Sequence, residues 1–146
     1  MCYMVLISTT AEEDLSVHDS EFIRFSTDIP SIPERDLLKY PRHWFLVSRE
    51  GTCSCSFRHL YSVELGFGEP VEWFPEEPEQ IRATLDVIEA IRGLVIAGGQ
   101  VDCIDAWAGG SSLPFVELDV DLASVSNEAF RFYENHHFSF GLTTAP

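Results

Sequence analysis

Apolar residues recur every three or four positions between residues 78 and 97, a spacing typical of one buried stripe on an α-helix. The stripe consists of Ile81, Leu85, Ile88, Ile91 and Val95. Pro78 suits the first turn of a helix, and Gly98 and Gly99 stand where the chain must leave it. The pattern therefore predicts one long helix over residues 78–97.

Shorter segments predict β-strands, because their apolar residues either alternate with polar ones or run together. These segments cover residues 2–8, 21–27, 101–107 and 115–122, and FSF after His136 and His137 is a further strand. Short helices are expected at residues 33–40, between two prolines, and at 127–135, after Ser126 as a cap. The elements predict one α+β domain over residues 1–146, with a mixed or antiparallel sheet of five to seven strands packed against the long helix.

The stretch from His43 to Leu60 predicts a β-hairpin with its turn at Glu50-Gly51. In the register that pairs Ser48 with Cys53, the more apolar face of the ribbon carries Trp44, Leu46, Ser48, Cys53, Cys55 and Phe57. Both cysteines are then expected to point into the core, where a free cysteine commonly acts as a small hydrophobic residue.

The same cysteines allow a zinc hypothesis. Two sulfurs at positions i and i+2 on one strand face can converge on a metal, and Cys103 from another strand is the easiest third ligand. His59 lies about 13 Å beyond Cys55 on a straight strand, too far to share an ion that needs ligands at about 2.0–2.3 Å. His59 or His136 therefore completes the site only if the strand breaks. A Cys-dependent enzyme or redox protein, with His59 as the base, meets the same obstacle.

Asp105 is the unusual carboxylate of the predicted sheet. If Trp107 opposes Val116, Asp105 shares a face with apolar neighbours, whereas Asp102, Glu117, Asp119 and Asp121 share a solvated acidic face. An inward carboxylate is costly unless it is paired. We expect Asp105 to pair with Arg58 or Arg131, or to reach water at the sheet end. A buried Asp105 beside Trp107 is a candidate site.

Trp73 lies in the Gly- and Pro-punctuated loop GFGEPVEWFPEEP at residues 66–78, together with Phe67 and Phe74. Aromatic side chains in such a loop either cap the core or form a ligand or partner patch. Capping is the more common role, and Trp73 stays a candidate for the second.

The charge narrows the classes of function. The chain has 146 residues and a formal net charge of −15, with Lys39 as its single lysine. This charge repels phosphate backbones, which disfavours nucleic-acid binding and favours a basic partner. The sequence also lacks an apolar run long enough for a membrane span and a basic N-terminal region typical of a signal peptide. We expect a cytoplasmic protein with reduced cysteines.

Several segments together resemble a family of small bacterial proteins that carry a C-S-C-x-F-R-H motif. The segments are VLIST at 5–9, PRHWFLVSR at 41–49, CSCSFRH at 53–59, GFGEPVEWFPEEP at 66–78 and FRFYENHHF at 130–138. The resemblance implies a bacterial, cytoplasmic source, but no activity and no catalytic residues.

Three functions therefore stay open. The first is a non-enzymatic domain that binds a protein partner through its acidic surface, by analogy with inhibitor or immunity proteins, and needs no cofactor. The second is a zinc protein that uses Cys53, Cys55 and Cys103. The third is a Cys-dependent enzyme or redox protein. The sequence leaves the oligomeric state open.

Overall fold

Six strands form the central sheet, in the order β2-β3-β1-β5-β8-β6. The computed structural model describes residues 3–48, 53–60, 63–68, 75–107 and 115–143. The sheet strands are β1 (Tyr3–Thr9), β2 (Ile23–Ser26), β3 (Arg42–Ser48), β5 (Val101–Trp107), β6 (Val116–Asp121) and β8 (His136–Gly141). A second sheet pairs β4 (His59–Leu60) with β7 (Phe132–Tyr133), and the one α-helix of the described residues is α1 (Pro78–Ile96). The predicted α+β class with one long helix is confirmed.

All neighbouring strands of the large sheet are antiparallel except β6 and β8, which run parallel. The predicted pairing of Trp107 with Val116 is wrong, because β8 lies between β5 and β6. This strand brings Phe138 and Phe140 into the core. The predicted division of faces still holds, since paired residues share a face and Cys103 opposes Phe138, which in turn opposes Leu118.

The long helix begins and ends as the periodicity predicts. Its first turn has a capping box, in which Gln80 accepts a hydrogen bond from the Glu77 amide at 2.9 Å. The buried side is rotated from the predicted stripe, since Ile81, Leu85 and Val95 are only half-buried. The buried helix residues are Ala83, Thr84, Val87, Ile88, Ala90, Ile91 and Leu94.

Aromatic side chains fill the space beside the helix. Phe130, Phe132, Tyr133 and Phe138 are fully buried, and Phe67 stacks on Phe130 with ring centroids 5.5 Å apart. Phe67 therefore caps the core, as expected of a loop aromatic. The helix predicted over residues 127–135 is wrong: a 3-10 turn at Asn127–Ala129 precedes β7. Core packing of these aromatics decides against the helix.

The opposite face of the sheet is also covered. Ile29, Ile32 and Leu38, from the segment between β2 and β3, pack near Leu6 and Ile104. Asp102 is fully buried there, so the predicted solvated face is wrong for β5. Pro33–Leu37 in this segment is a 3-10 helix. Among the described residues, no helix is both long and apolar enough to cross a membrane.

The predicted hairpin at residues 43–60 forms only in its first arm. β3 is present, and the Ser48 amide donates to the Cys53 carbonyl at 3.2 Å, as the predicted register requires. From Cys53 onwards the chain bends through turns to residue 57, and β4 pairs with β7 instead of β3. The turn at Glu50-Gly51 lies outside the described residues.

Candidate functional site

Ser54 anchors the bent segment to the sheet. Its amide donates to the Tyr3 carbonyl at 2.9 Å, and its hydroxyl donates to the Leu46 carbonyl while it accepts from the Val5 amide. The side chain is fully buried. Because Ser54 takes the inward position, Cys55 is turned towards solvent.

The prediction that both Cys53 and Cys55 point into the core is therefore wrong. Cys55 is exposed, and Cys53 is half-buried, whereas Cys103 on β5 is fully buried. The two-residue period of side chains holds only along a continuous strand, and residues 53–57 form bends and turns instead of a strand. Burial raises the pKa of the Cys103 thiol well above its ordinary value.

The four side chains of the zinc hypothesis do not converge. Within the ranges that the structure describes, no three or more His, Cys, Asp or Glu side chains are grouped so that they could hold a metal. These ranges include Cys53, Cys55, Cys103, His59 and His136.

His59 instead forms a buried pair with Asp105. Its Nδ1 lies 2.7 Å from Asp105 Oδ2, and its Nε2 lies 2.5 Å from the Ser54 carbonyl oxygen. The Asp105 side chain is fully buried and that of His59 is 4% exposed. Asp105 is thus inward, as expected, but the predicted partners Arg58 and Arg131 are wrong. The bend before β4 brings the histidine to it.

This geometry fixes the position of one proton and restricts a second proton to two atoms. A carbonyl oxygen can only accept, so Nε2 of His59 carries a proton. A second proton lies between Nδ1 and Asp105 Oδ2, and the pair is neutral overall whichever atom holds it. Burial raises the pKa of Asp105, and the His59 charge opposes this rise only in part. Asp105 Oδ1 is buried without a hydrogen-bond partner among the described residues.

Tyr3 connects this pair to Cys55. Its ring stacks on the His59 ring, with centroids 4.0 Å apart and planes 6° apart, and Trp107 packs edge-on against it. The Tyr3 amide donates to Cys55 Sγ at 3.2 Å. Burial, and next the charge of Glu134, raises the pKa of Tyr3 to about 12. Tyr3 therefore stays a neutral phenol at physiological pH.

A cavity of about 200 Å³ lies beside these residues. It is lined by Tyr3, Cys55, Phe57, Arg58, His59, Pro75, Glu76 and Gln80. Its volume is below the roughly 300–1,000 Å³ of pockets for drug-sized ligands, so it suits a group of a few non-hydrogen atoms. The cavity thus combines an exposed thiol, two aromatic rings and buried charges.

Two of the residues that line the cavity, Arg58 and Glu76, belong to a buried cluster in which Arg131 also binds the glutamate. Arg58 binds Glu76 through two hydrogen bonds of 2.7 Å, and Arg131 binds the same carboxylate at 3.0 Å. Burial alone would raise the pKa of Glu76, but hydrogen bonds from both arginines outweigh burial and lower it. Two cations on one anion leave this cluster with a net positive charge, although Arg131 is not among the residues that line the cavity.

A second carboxylate–histidine pair lies on the opposite face of β5. Asp102 Oδ2 accepts from His137 Nε2 at 2.7 Å and from the Lys39 amide at 3.0 Å, and its Oδ1 accepts from the Ser8 hydroxyl. The other nitrogen of His137 lies 2.9 Å from the exposed Glu117. This pair has no cavity residue among its partners.

The structure thus brings Cys55, His59, Arg58 and Asp105 into one region, with Trp107 reaching it through Tyr3. Trp73 lies outside the described residues. Sequence reasoning missed Tyr3, Glu76 and the second pair. The sequence held one indication of Glu76, since this residue lies in an acidic run just before the helix. The run has a second explanation, because carboxylates interact favourably with the helix dipole at the N-terminus.

No family model, curated protein or solved structure matches the chain. The chemistry of the site therefore follows from its own geometry.

Proposed function

We propose that the protein is a non-enzymatic, cytoplasmic domain that binds a basic protein partner through its acidic surface. The supporting observation is how the structure distributes its cations. Arg58 and Arg131 are buried, and Arg92 donates to Asn127 and to the carbonyl oxygens of Leu122 and Val125. With these cations directed inward, the exposed charged side chains of the described residues are mostly carboxylates, so the surface is acidic.

Exposed carboxylates are spread over the described surface. They are Glu12, Glu13, Asp14, Asp19, Glu21, Asp28, Asp36, Glu64, Glu77, Glu79, Glu89, Glu117, Asp119 and Glu128. The exposed basic side chains are Arg24, Lys39, Arg42 and Arg82. A surface of this sign attracts a basic protein at low salt and repels nucleic acid.

Strand β6 is the part of this surface best suited to contact. It is the last strand of the sheet among the described residues, so it can offer backbone groups to an extended partner segment. Glu117 and Asp119 are exposed on one face, and Val116 on the other face is 53% exposed. Lys39 reaches the acidic face at Ser139 and offsets only part of its charge.

Asp121 at the end of β6 does not belong to the contact surface. Its carboxylate accepts from the Thr143 amide, the Ala123 amide and the hydroxyls of Thr143 and Ser124. These hydrogen bonds, the Thr143 amide first, lower the pKa of Asp121 to about 2. The partner therefore meets Glu117 and Asp119.

The proposal is tested with a partner captured at low salt on the immobilised protein, identified, purified and titrated by calorimetry. We expect binding to weaken steeply between 50 and 500 mM salt, since the Debye length falls to a few ångströms, about 3 Å at 1 M. Asp119→Lys should weaken it about fivefold or more, and Glu12→Lys, with the same change of charge, should weaken it much less.

Two outcomes would count against this function. One is a complex whose affinity does not depend on salt. The other is an equal effect of Asp119→Lys and Glu12→Lys. If Asp119→Lys instead causes aggregation and leaves binding intact, the carboxylates protect an exposed strand edge and do not recognise a partner.

A further inference from the structure

We propose that Cys55 is a reactive thiol that undergoes reversible thiol–disulfide exchange with a small disulfide, one half of which occupies the adjoining cavity. This site is separate from the acidic strand β6. The inference rests on three features of the described residues: the accessibility of the sulfur, the groups that stabilise its thiolate, and the size of the cavity.

Accessibility distinguishes Cys55 from the other described cysteines. Exchange requires a thiolate to reach a disulfide sulfur in line, so the attacking sulfur must be open to solvent. Cys55 is exposed, Cys53 is half-buried and Cys103 is fully buried. The buried Ser54 next to it fixes the turn that presents the sulfur, so the exposure is a built feature of the fold.

The surroundings of Cys55 favour the thiolate. The Tyr3 amide already donates to the sulfur, and a donor of this kind binds a negative sulfur more strongly than a neutral one. Arg58 and Glu76 line the cavity, and Arg131 also binds Glu76, so this buried cluster carries one net positive charge in a protein that is otherwise strongly acidic. Low-pKa cysteines are found in such electropositive, accessible settings.

Other charged groups near the site oppose the thiolate. The His59–Asp105 pair is neutral overall because it holds one shared proton. Burial first, and then the charges of Glu134 and Asp105, raise the pKa of Tyr3, and Glu134 is half-buried. The charge of Glu134 opposes the thiolate, whereas Arg58 lines the same cavity as the sulfur.

The arrangement suits disulfide exchange better than acyl transfer. A cysteine hydrolase needs a histidine nitrogen available to take the thiol proton, and both nitrogens of His59 already face acceptors. Exchange needs no general base. The Cys55 thiolate attacks one sulfur of the substrate, a mixed disulfide forms, and the other half leaves as a thiolate. A second small thiol reverses the step with the same balance.

The substrate class follows from the cavity. About 200 Å³ accommodates one half of a small disulfide but not a folded partner. Tyr3 and Phe57 offer aromatic surface, and Gln80 offers an amide. We therefore expect low-molecular-weight disulfides to react and protein disulfides to react poorly.

The reaction is measured with 4,4′-dithiodipyridine, a neutral disulfide whose rate does not depend on the overall charge of the protein. We expect one thiol to react at least about threefold faster than N-acetylcysteine at pH 7, because a larger thiolate fraction outweighs the lower nucleophilicity of that thiolate. Mass spectrometry should place the adduct on Cys55. The fast phase should vanish in Cys55→Ser and persist in Cys53→Ser.

A matched pair of variants tests the role of the cavity wall. Gln80→Glu adds a carboxylate to the cavity and keeps the acceptor of the capping box, so the fold is preserved. We expect it to slow the fast phase at least about threefold. Gln100→Glu makes the same change at an exposed residue beyond the other end of α1 and should leave the rate unchanged.

The proposal is overturned if the fast thiol is not Cys55, or if Cys55 reacts no faster than N-acetylcysteine. Equal rates in Gln80→Glu and Gln100→Glu would also overturn it, because the cavity would then have no influence on the sulfur.

Discussion

Asp102–His137 and Asp105–His59 are the same chemical pair, placed on opposite faces of one strand and completed differently. Both carboxylates are fully buried, and each has an oxygen 2.7 Å from a histidine nitrogen. Asp102 uses both oxygens and has three donors, whereas Asp105 has one oxygen without a partner among the described residues. A buried carboxylate contributes to stability only when its oxygens are satisfied.

The difference separates a structural pair from a candidate functional one. The donors of Asp102 come from β1, β8 and the segment before β3, so this pair ties three parts of the chain together. Among the described residues the Asp105 carboxylate binds only His59, and His59 lines the cavity beside Cys55. A buried carboxylate with an unpartnered oxygen, next to a cavity and a thiol, is typical of a functional site, where the fold tolerates a local loss of stability.

The largest expected effect comes from replacing each aspartate by asparagine. Asp102→Asn places an NH₂ group opposite N–H or O–H donors and should cost about 3 kcal/mol of unfolding free energy. Asp105→Asn can donate from its NH₂ group to Nδ1 of a neutral His59, whose Nε2 still donates to the Ser54 carbonyl, and can place its oxygen on the unpartnered side. It should cost less than about 1 kcal/mol. Urea denaturation measures both, and equal losses would contradict the distinction.

The next effect concerns two neutral hydroxyl groups, one with hydrogen-bond partners and one without. Ser8→Ala removes the donor to Asp102 Oδ1 and the acceptor of the Tyr40 amide, and should destabilise by about 1–3 kcal/mol. Tyr133→Phe removes a buried hydroxyl that has no partner within the described part of the chain. The Tyr133→Phe variant should be as stable as the wild type or slightly more stable. A loss of more than about 1 kcal/mol of unfolding free energy would contradict the claim that an unsatisfied buried hydroxyl adds no stability.

The smallest effect is the pH dependence of stability. Hydrogen bonds, Asp102 first, raise the pKa of His137 although burial opposes them. A raised pKa means that the imidazolium stabilises the fold fully below pH 6.5 and that this contribution is lost as the pH rises through the raised value. His137→Gln should flatten the fall in stability above pH 6.5.

Burial likewise raises the pKa of Asp105, so the protonated carboxyl stabilises the fold below pH 3.8 and this contribution is lost as the pH rises. Asp105→Asn should therefore remove the part of the pH dependence of stability that begins near pH 3.8. His137→Gln should remove the part that begins near pH 6.5. Unfolding free energies from urea denaturation between pH 3.5 and 9 separate the two windows. A common window for both variants would contradict the assignment.

The sequence predicts the helix and the strands of this fold better than it predicts which strands lie next to each other in the sheet. Helix 78–97 and strand 101–107 follow from periodicity, because a helix or strand that buries one side must repeat its apolar residues at that period. The insertion of β8 between β5 and β6 is not encoded in either strand. It depends on where Phe138 and Phe140 pack, which is a tertiary property.

The candidate site was predictable in its residues but not in its contacts. Cys55, His59, Arg58 and Asp105 stand out by residue type, and Asp105 was correctly expected to be inward. Their grouping depends on the bend after Cys53, where buried Ser54 replaces the expected cysteine. A polar residue that satisfies backbone groups of two strands at once gives no signal in a one-dimensional pattern.

The most direct test of the functional contrast is an NMR comparison of the two histidines. Imidazole ¹⁵N resonances are recorded before and after Cys55 is converted to its methyl disulfide, with Cys55→Ser as the control that blocks modification. We predict that the His59 resonances move, because His59 borders the cavity, and that the His137 resonances stay in place. Movement of His137 to the same extent, or no movement of His59, would contradict the account.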